Sequence, residues 1–227
     1  MSHRRSLLYN KGGGGILTPA DLGAVVWFDG SDASKFSFTG LNVDSWESSI
    51  DSDDTIDYTA YVKGVRLEDA LASTIGQKIR YTYTGVSNDF SGAFTVLWKA
   101  KQSIDGLTNA YVVLDAPTYI YVVTSGAERN RYRDSTGSGG SNSGVASSLD
   151  YVNCAIVGDG TDRILYENNV LINTETQGSG ALETGGRVLN QTQALALSQT
   201  FLKQLIIFDK ELNSTELEQM NDFLDTK

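Results

Sequence analysis

The chain has 227 residues, 40% of them hydrophobic and 10% aromatic, and its formal net charge is −10. That length suits one large domain, and an acidic surface repels phosphate backbones, so nucleic acid is not expected as a partner. A lone histidine, His3, and a lone cysteine, Cys154, speak against His-based triads, His-rich metal sites and an internal disulfide.

Cys154 sits in an apolar stretch and reads as a small buried hydrophobe. The N-terminus lacks the apolar core of a signal peptide. No stretch approaches the ~18 apolar residues that a spanning helix needs. The expectation is a chain made and folded in the cytoplasm, without a membrane partner. Tyr leads the aromatics with 11 copies, and Val, Thr and Ile are common, which leans towards β structure.

Residues 1–15 form a basic arm on a glycine hinge. Arg4, Arg5 and Lys11 carry the charge, Leu7, Leu8 and Tyr9 make an apolar plug, and Gly12 to Gly15 follow. Two readings stand: an attachment segment that orders on a partner, or a tail without consequence. The domain proper is expected over residues 16–227.

Residues 24–28 read as a strand, broken by Asp29 to Asp32. Residues 36–38 and 43–46 read as short strands. Residues 51–57 read as an acidic loop. Its carboxylates, Asp51, Asp53 and Asp54, are weak calcium candidates, since the EF-hand ligand order and its central Gly are missing; a solvated loop is the alternative. Residues 64–76 are ambiguous, with one helical turn through Leu67, Ala70 and Leu71 as an option.

Residues 78–84 alternate cleanly, with Ile79, Tyr81 and Tyr83 on one face and charged or hydroxyl side chains on the other. Phe94, Val96 and Trp98 share a face in the next strand. Residues 111–114 and 119–123 read as a hairpin. Arg129, Arg131 and Arg133 share one parity, either as the solvated face of an edge strand or as an anion site. Residues 135–148 are a Gly/Ser-rich stretch, too polar to bury, and read as a long mobile loop. Residues 151–157 are a strand. Residues 163–167 and 170–172 form a hairpin across Asn168 and Asn169, which tolerate the left-handed backbone of a two-residue turn. Another Gly-rich loop follows over 177–186, then short strands at 187–189 and 194–197.

The last 27 residues carry the clearest signal. Residues 201–209 are apolar on both parities, as in a strand buried on two faces. Asn213 and Glu216 have the spacing of a capping box. Leu217, Met220 and Leu224 then form one stripe of a helix that packs on a sheet. In all, about a dozen strands at short spacing indicate a β-sandwich or barrel.

The motifs resemble those of concanavalin A-like, laminin-G-like jelly rolls. VVWFDGSD at 25–32 resembles the first strand and its turn, and VDSW at 43–46 the next. GAFTVLWK at 92–99 resembles a core strand. The stretch 153–170 resembles the strand, D-G turn and hairpin, and KELNSTE at 210–216 the entry to the closing helix. Two departures stand out: Gly30 where Ala is usual, and Asn169 where Gly is usual. Neither is expected to threaten the fold. The implied fold is an all-β, concanavalin A-like jelly-roll β-sandwich with a short C-terminal helix.

The resemblance implies fold more than function. Its members include glycan-binding modules, adhesion domains, glycoside hydrolases and domains of phage virion proteins. The arm favours the last group. The expectation is a capsid decoration, head-fibre or tail-fibre protein at the virion surface. Its arm would hold capsid or tail proteins, and the domain would act as a homo-oligomer, with a trimer suited, that contacts a cell-surface glycan. The alternative is a soluble carbohydrate-binding module, with Asn130, Tyr132 and loop 51–57 as its exposed candidates and Trp27, Trp46 and Trp98 expected in the core. A hydrolase or lyase is not expected, since no E-x-D-x-E pattern occurs and the only His lies in the arm. No catalytic or cofactor residue is identified.

Overall fold

The computed structural model describes residues 16–73, 78–102, 109–115, 119–125, 128–133, 141–142, 150–176, 181–182, 184–191 and 199–227. The arm residues Arg4, Arg5, Leu7, Leu8, Tyr9 and Lys11 lie outside them, as does the strand expected at 194–197.

The strands, in chain order, are β1 (Val26–Asp29), β2 (Phe36–Thr39), β3 (Asn42–Glu47), β4 (Thr55–Tyr61), β5 (Val65–Leu67), β6 (Ala70–Ala72) and β7 (Ile79–Thr84). Then come β8 (Asn88–Asp89), β9 (Ala93–Gln102), β10 (Asn109–Asp115), β11 (Tyr119–Ser125), β12 (Glu128–Arg133) and β13 (Ser141–Asn142). The set closes with β14 (Val152–Asp159), β15 (Asp162–Glu167), β16 (Val170–Thr176), β17 (Ala181–Leu182), β18 (Arg187–Gln191) and β19 (Thr200–Phe208), followed by helix α1 (Ser214–Asp225).

Antiparallel pairing builds two layers. One runs β16-β15-β14-β9-β19-β1. The other runs β2-β3-β4-β7-β18-β10-β11-β12-β13. Hairpin β5–β6 bridges them, with β5 on β3 and β6 on the start of β19. This is the expected all-β sandwich.

The core lies between the layers. Phe94, Val96, Trp98, Ile156, Leu205 and Ile207 of the first layer meet Trp46, Ile56, Tyr81, Tyr83 and Val188 of the second. Each such side chain contributes about 1.5–3 kcal/mol by leaving water. The shared face expected of Phe94, Val96 and Trp98 is present.

A second apolar cluster lies outside the first layer. There Leu97, Ala155, Val157, Ile206 and Phe208 meet Leu217, Met220, Phe223 and Leu224 of α1. This explains why β19 is apolar on both parities: one face serves the sandwich and the other the helix. The capping box forms as expected. Asn213 accepts from the Thr215 and Glu216 amides at 3.0 and 3.1 Å, and Glu216 accepts from the Asn213 amide at 2.9 Å. At the other end Lys99 Nζ donates to the Leu224 carbonyl at 2.5 Å, placing a cation at the negative end of the helix dipole.

Several expectations need correction. Residues 64–76 make no helical turn. They hold the β5–β6 hairpin, whose turn residues Glu68 and Asp69 are left-handed, with φ of 51° and 56°. The acidic loop ends earlier than expected, at β4. Strand β12 is not an edge within the described residues, because β13 pairs with Arg131 and Tyr132. That short strand also sits within the stretch expected to be a loop, and β17 sits within the second Gly-rich stretch, paired to β8. Trp46 and Trp98 are buried in the sandwich, but Trp27 faces the helix side. It lies half-buried and edge-on to Phe223 at 5.6 Å, and its indole N–H donates to Gln204 Oε1 at 2.9 Å. The Asn168–Asn169 turn is as expected, with φ of 49° and 61°. Among the described residues no helix is long and apolar enough to cross a membrane.

Candidate functional site

Alternation on β4 and β7 sends Ile56, Tyr58, Tyr81 and Tyr83 inward, so Thr55, Asp57, Arg80, Thr82 and Thr84 face out. The same register continues sideways. Ser37, Ser45, Asp57, Thr82 and Arg187 stand opposite one another across β2, β3, β4, β7 and β18. The result is one polar row across five strands. Ser37 and Ser45 share a hydrogen bond of 2.6 Å between their hydroxyls, and Thr55 Oγ1 donates to Asp57 Oδ2 at 2.7 Å. Glu47, also outward, pairs with Lys35 at 2.6 Å.

A bulge at Thr59 interrupts β4 between Tyr58 and Ala60. Beyond it Tyr61 pairs with Ile79, a position whose regular register points to the core. Its backbone is instead left-handed, with φ of 74°, and its ring is turned outward and 47% exposed. There the Arg80 guanidinium lies 4.9 Å from the ring centroid, and Nη2 donates to the Tyr61 hydroxyl at 3.2 Å. Lys78 Nζ lies 5.5 Å from the same ring. Lys63 lies over Tyr58 at 5.2 Å and pairs with Asp44. That lysine's hydrogen bond, followed by one from Thr39, holds the Asp44 carboxyl below the usual carboxylate range. Tyr58 donates its hydroxyl proton to the Tyr61 carbonyl at 2.8 Å, which fixes the corner.

The carboxylates of 51–57 take separate roles. Asp51 and Asp53 are exposed, and the Asp53 amide donates to Asp51 Oδ1 at 2.9 Å. Asp54 is only 3% exposed, and its Oδ1 accepts from the Tyr83 hydroxyl at 2.5 Å and the Val86 amide at 3.1 Å. Burial, then the hydrogen bond to Asp54, pushes the Tyr83 phenol up. Among the described residues no group of three His, Cys, Asp or Glu side chains is placed to hold a metal. Of the other glycan candidates, Asn130 and Tyr132 lie in β12, and their side chains are outside the described part.

A second feature is a cleft between α1 and the first layer, lined by Asn153, Tyr166, Asn169, Leu217, Asn221 and Leu224 among others. Its enclosed part admits only a water-sized group. Asn153 donates from Nδ2 to Asn221 at 3.2 Å and to Asp225 at 2.7 Å, while its buried Oδ1 has no protein partner. Cys154, whose thiol is pushed up by burial and then by Glu167, lies in the core as expected.

No protein-family model and no curated protein matches the sequence. Solved structures do match in fold. A Trypanosoma rangeli sialidase bound to a difluoro-sugar has a TM-score of 0.60 at 13% identity, over 97% of this chain and 36% of that one. The ligand-binding domain of botulinum neurotoxin serotype D, in complex with N-acetylneuraminic acid, gives 0.59 at 12% identity, over 88% and 50%. The binding domain of Paraclostridial Mosquitocidal Protein 1 gives 0.58 at 12%, over 83% and 51%. The chain is similar to these as a jelly-roll β-sandwich. It spans about half of each toxin domain and about a third of the sialidase.

The Tyr61 corner escaped the sequence reading. The outward face of residues 78–84 was legible, since Lys78, Arg80 and Thr82 alternate with apolar residues. The missing half was β4. Thr55, Ile56, Asp57 and Tyr58 alternate just as well, but the density of acids before them drew the stretch into a loop.

Proposed function

We propose that the chain is a carbohydrate-binding module whose binding surface is the outer face of the second layer. The observation that carries this is the polar row Ser37, Ser45, Asp57, Thr82 and Arg187, in register across five strands, with the exposed ring of Tyr61 on the same face further along β4. Sugars present alternating hydroxyls and apolar C–H faces. A flat row of hydroxyl and ionic side chains answers the first, and an aromatic ring the second. Two of the structures named above, of which this chain matches about a third and about a half, were solved in complex with a sugar, which agrees with the reading at the level of fold.

Binding fits this face better than hydrolysis. A retaining hydrolase needs two carboxylates about 5–5.5 Å apart and available to substrate. Glu47 and Asp57 both face out, but Lys35 holds one and Thr55 the other. The named neighbours are toxin and sialidase domains and none is a virion component. The tethering role of Arg4, Arg5, Leu7, Leu8, Tyr9 and Lys11 therefore enters here only as the way such a module would be joined to a larger assembly, a capsid or tail. A glycan array probed with the full chain tests the main reading. Saturable hits that fall on mutation of Tyr61 are expected; an array without hits, with and without calcium, ends it.

A further inference from the structure

Helix α1 turns three acids to solvent along one stripe. Glu218, Asp222 and Asp225 follow at helical spacing and are exposed, while Leu217, Met220, Phe223 and Leu224 face the sandwich. Like charges at this spacing repel. Partial desolvation, then the Glu218 and Asp225 charges, hold the Asp222 carboxyl above its ordinary range. Asp222 and Asp225 also lie towards the negative end of the helix dipole, where an anion is unfavourable. The cations around the helix are engaged elsewhere: Lys210 with Glu216, Lys227 with Asp29, and Lys99 with the Leu224 carbonyl. Among the described residues none of the three acids makes an ion pair.

A second observation lies on the same flank. Asn153 lines the cleft between α1 and the first layer and is only 5% exposed. Its Nδ2 is committed to Asn221 and Asp225, so the amide cannot turn without setting its oxygen against a carboxylate. That leaves Oδ1 as a buried acceptor with no protein donor, which a folded chain rarely tolerates.

We propose that residues 1–15 dock across this outer face of α1 in their own chain, with Arg4, Arg5 and Lys11 on the acidic stripe and Leu7, Leu8 and Tyr9 over the rim of the cleft. Charge selects this occupant. The arm holds three cations and no acid, in a chain whose net charge is −10. The path of the chain selects it too. Leu22, Ala24 and Trp27 pack into the same apolar cluster as α1, so the arm joins the body beside the helix. From Ile16 the chain can reach Arg5 over about 36 Å when extended. The whole of α1 is about 18 Å long. Tethering supplies a high effective concentration, so a few exposed ion pairs suffice to hold the arm. A guanidinium of the arm supplies the donor that Asn153 Oδ1 lacks. An assembly that uses the arm as a tether must first lift it from α1. The docking does not depend on whether the second layer binds a sugar.

The test is limited trypsin digestion of the full chain, following the cuts after Arg4, Arg5 and Lys11 by mass spectrometry, with a free peptide of residues 1–15 as the reference. At low salt these cuts are expected at least about tenfold more slowly than in the peptide, and the protection should fade in 0.5 M salt, which screens exposed charges. Glu218→Gln combined with Asp222→Asn should bring the cuts to the peptide's rate; both positions are exposed, and an unchanged far-UV spectrum verifies that the fold is kept. In the labelled full chain, Arg4→Gln, Arg5→Gln and Lys11→Gln together should shift the amides of Asn153, Glu218, Asn221 and Asp222. Cuts as fast as in the peptide at low salt, protection that survives the double substitution, or amides that do not move overturn the proposal. Protection that fades on dilution, together with a dimer's mass, gives the arm to a second copy and overturns docking within one chain.

Discussion

Gln204 Nε2 donates to Asp29 Oδ1 at 2.6 Å, joining β19 to the end of β1 across 175 positions of sequence. The same Gln204 accepts from the Trp27 indole. Asp29 also accepts from the Ser31 amide and hydroxyl, at 2.9 and 2.6 Å, and from Lys227 Nζ at 2.8 Å. Both oxygens of the Asp29 carboxylate, in a residue only 4% exposed, are thus used to hold the sandwich edge under α1.

This network sets an acid limit on stability. Burial pushes the Asp29 carboxyl up, but the donors from Lys227, Ser31 and Gln204 outweigh it and leave it below the ordinary value. A folded value below the unfolded one means that the stabilisation is complete above about pH 4 and is lost as pH falls through the lower folded value. Asp29→Asn should therefore cost about 1–3 kcal/mol at pH 7. The gap between wild type and variant, followed by urea titration, should hold from pH 7 to pH 5 and close below about pH 4. A gap that widens in acid would contradict the sign.

Gly30 is a second constraint on this edge. A Cβ there would lie 2.2 Å from the Asp69 carbonyl oxygen and 2.7 Å from that of Lys203. Ala is usual at this place in the jelly rolls the chain resembles, yet here it meets the β5–β6 turn. Gly30→Ala is expected to destabilise by about 1–3 kcal/mol, as overpacking against backbone does. Thermal unfolding checks it, and an unchanged Tm would show that the turn yields freely.

The helix cap offers an independent measure. Asn213→Ala removes the acceptor for two amides and should cost about 0.5–2 kcal/mol. Asn213→Asp should cost little, since its oxygen still accepts and its charge suits the helix N-terminus. Denaturant unfolding of the two variants separates the cap from general disruption of the segment.

The architecture was readable where local pattern and burial agree. β19 and α1 are the best instance. Residues 201–208 are apolar on both parities because the strand truly has two buried faces, and Asn213 with Glu216 marked the helix start. The Asn168–Asn169 turn was legible for the same reason, as its chemistry lies within two residues. The candidate site was not, because it depends on relations between distant segments. Lys78 and Arg80 announce only an outward face, and Tyr61 joins them through a one-residue bulge that reverses its side. Trp27 was misplaced for a related reason: its alternation is regular, but which face of β1 meets the helix depends on packing 200 residues later in the chain.

The most direct measurement of the central claim is an NMR titration of the isotope-labelled chain with the tightest-binding sugar from the array, mapped amide by amide. Perturbations are predicted to concentrate at Ser45, Asp57, Ala60, Tyr61, Arg80 and Thr82, and to vanish in a Tyr61→Ala variant that keeps its fold. Perturbations confined to the Asn153 and Asn169 cleft, or none with any sugar, would contradict the assignment of the outer face as the binding surface.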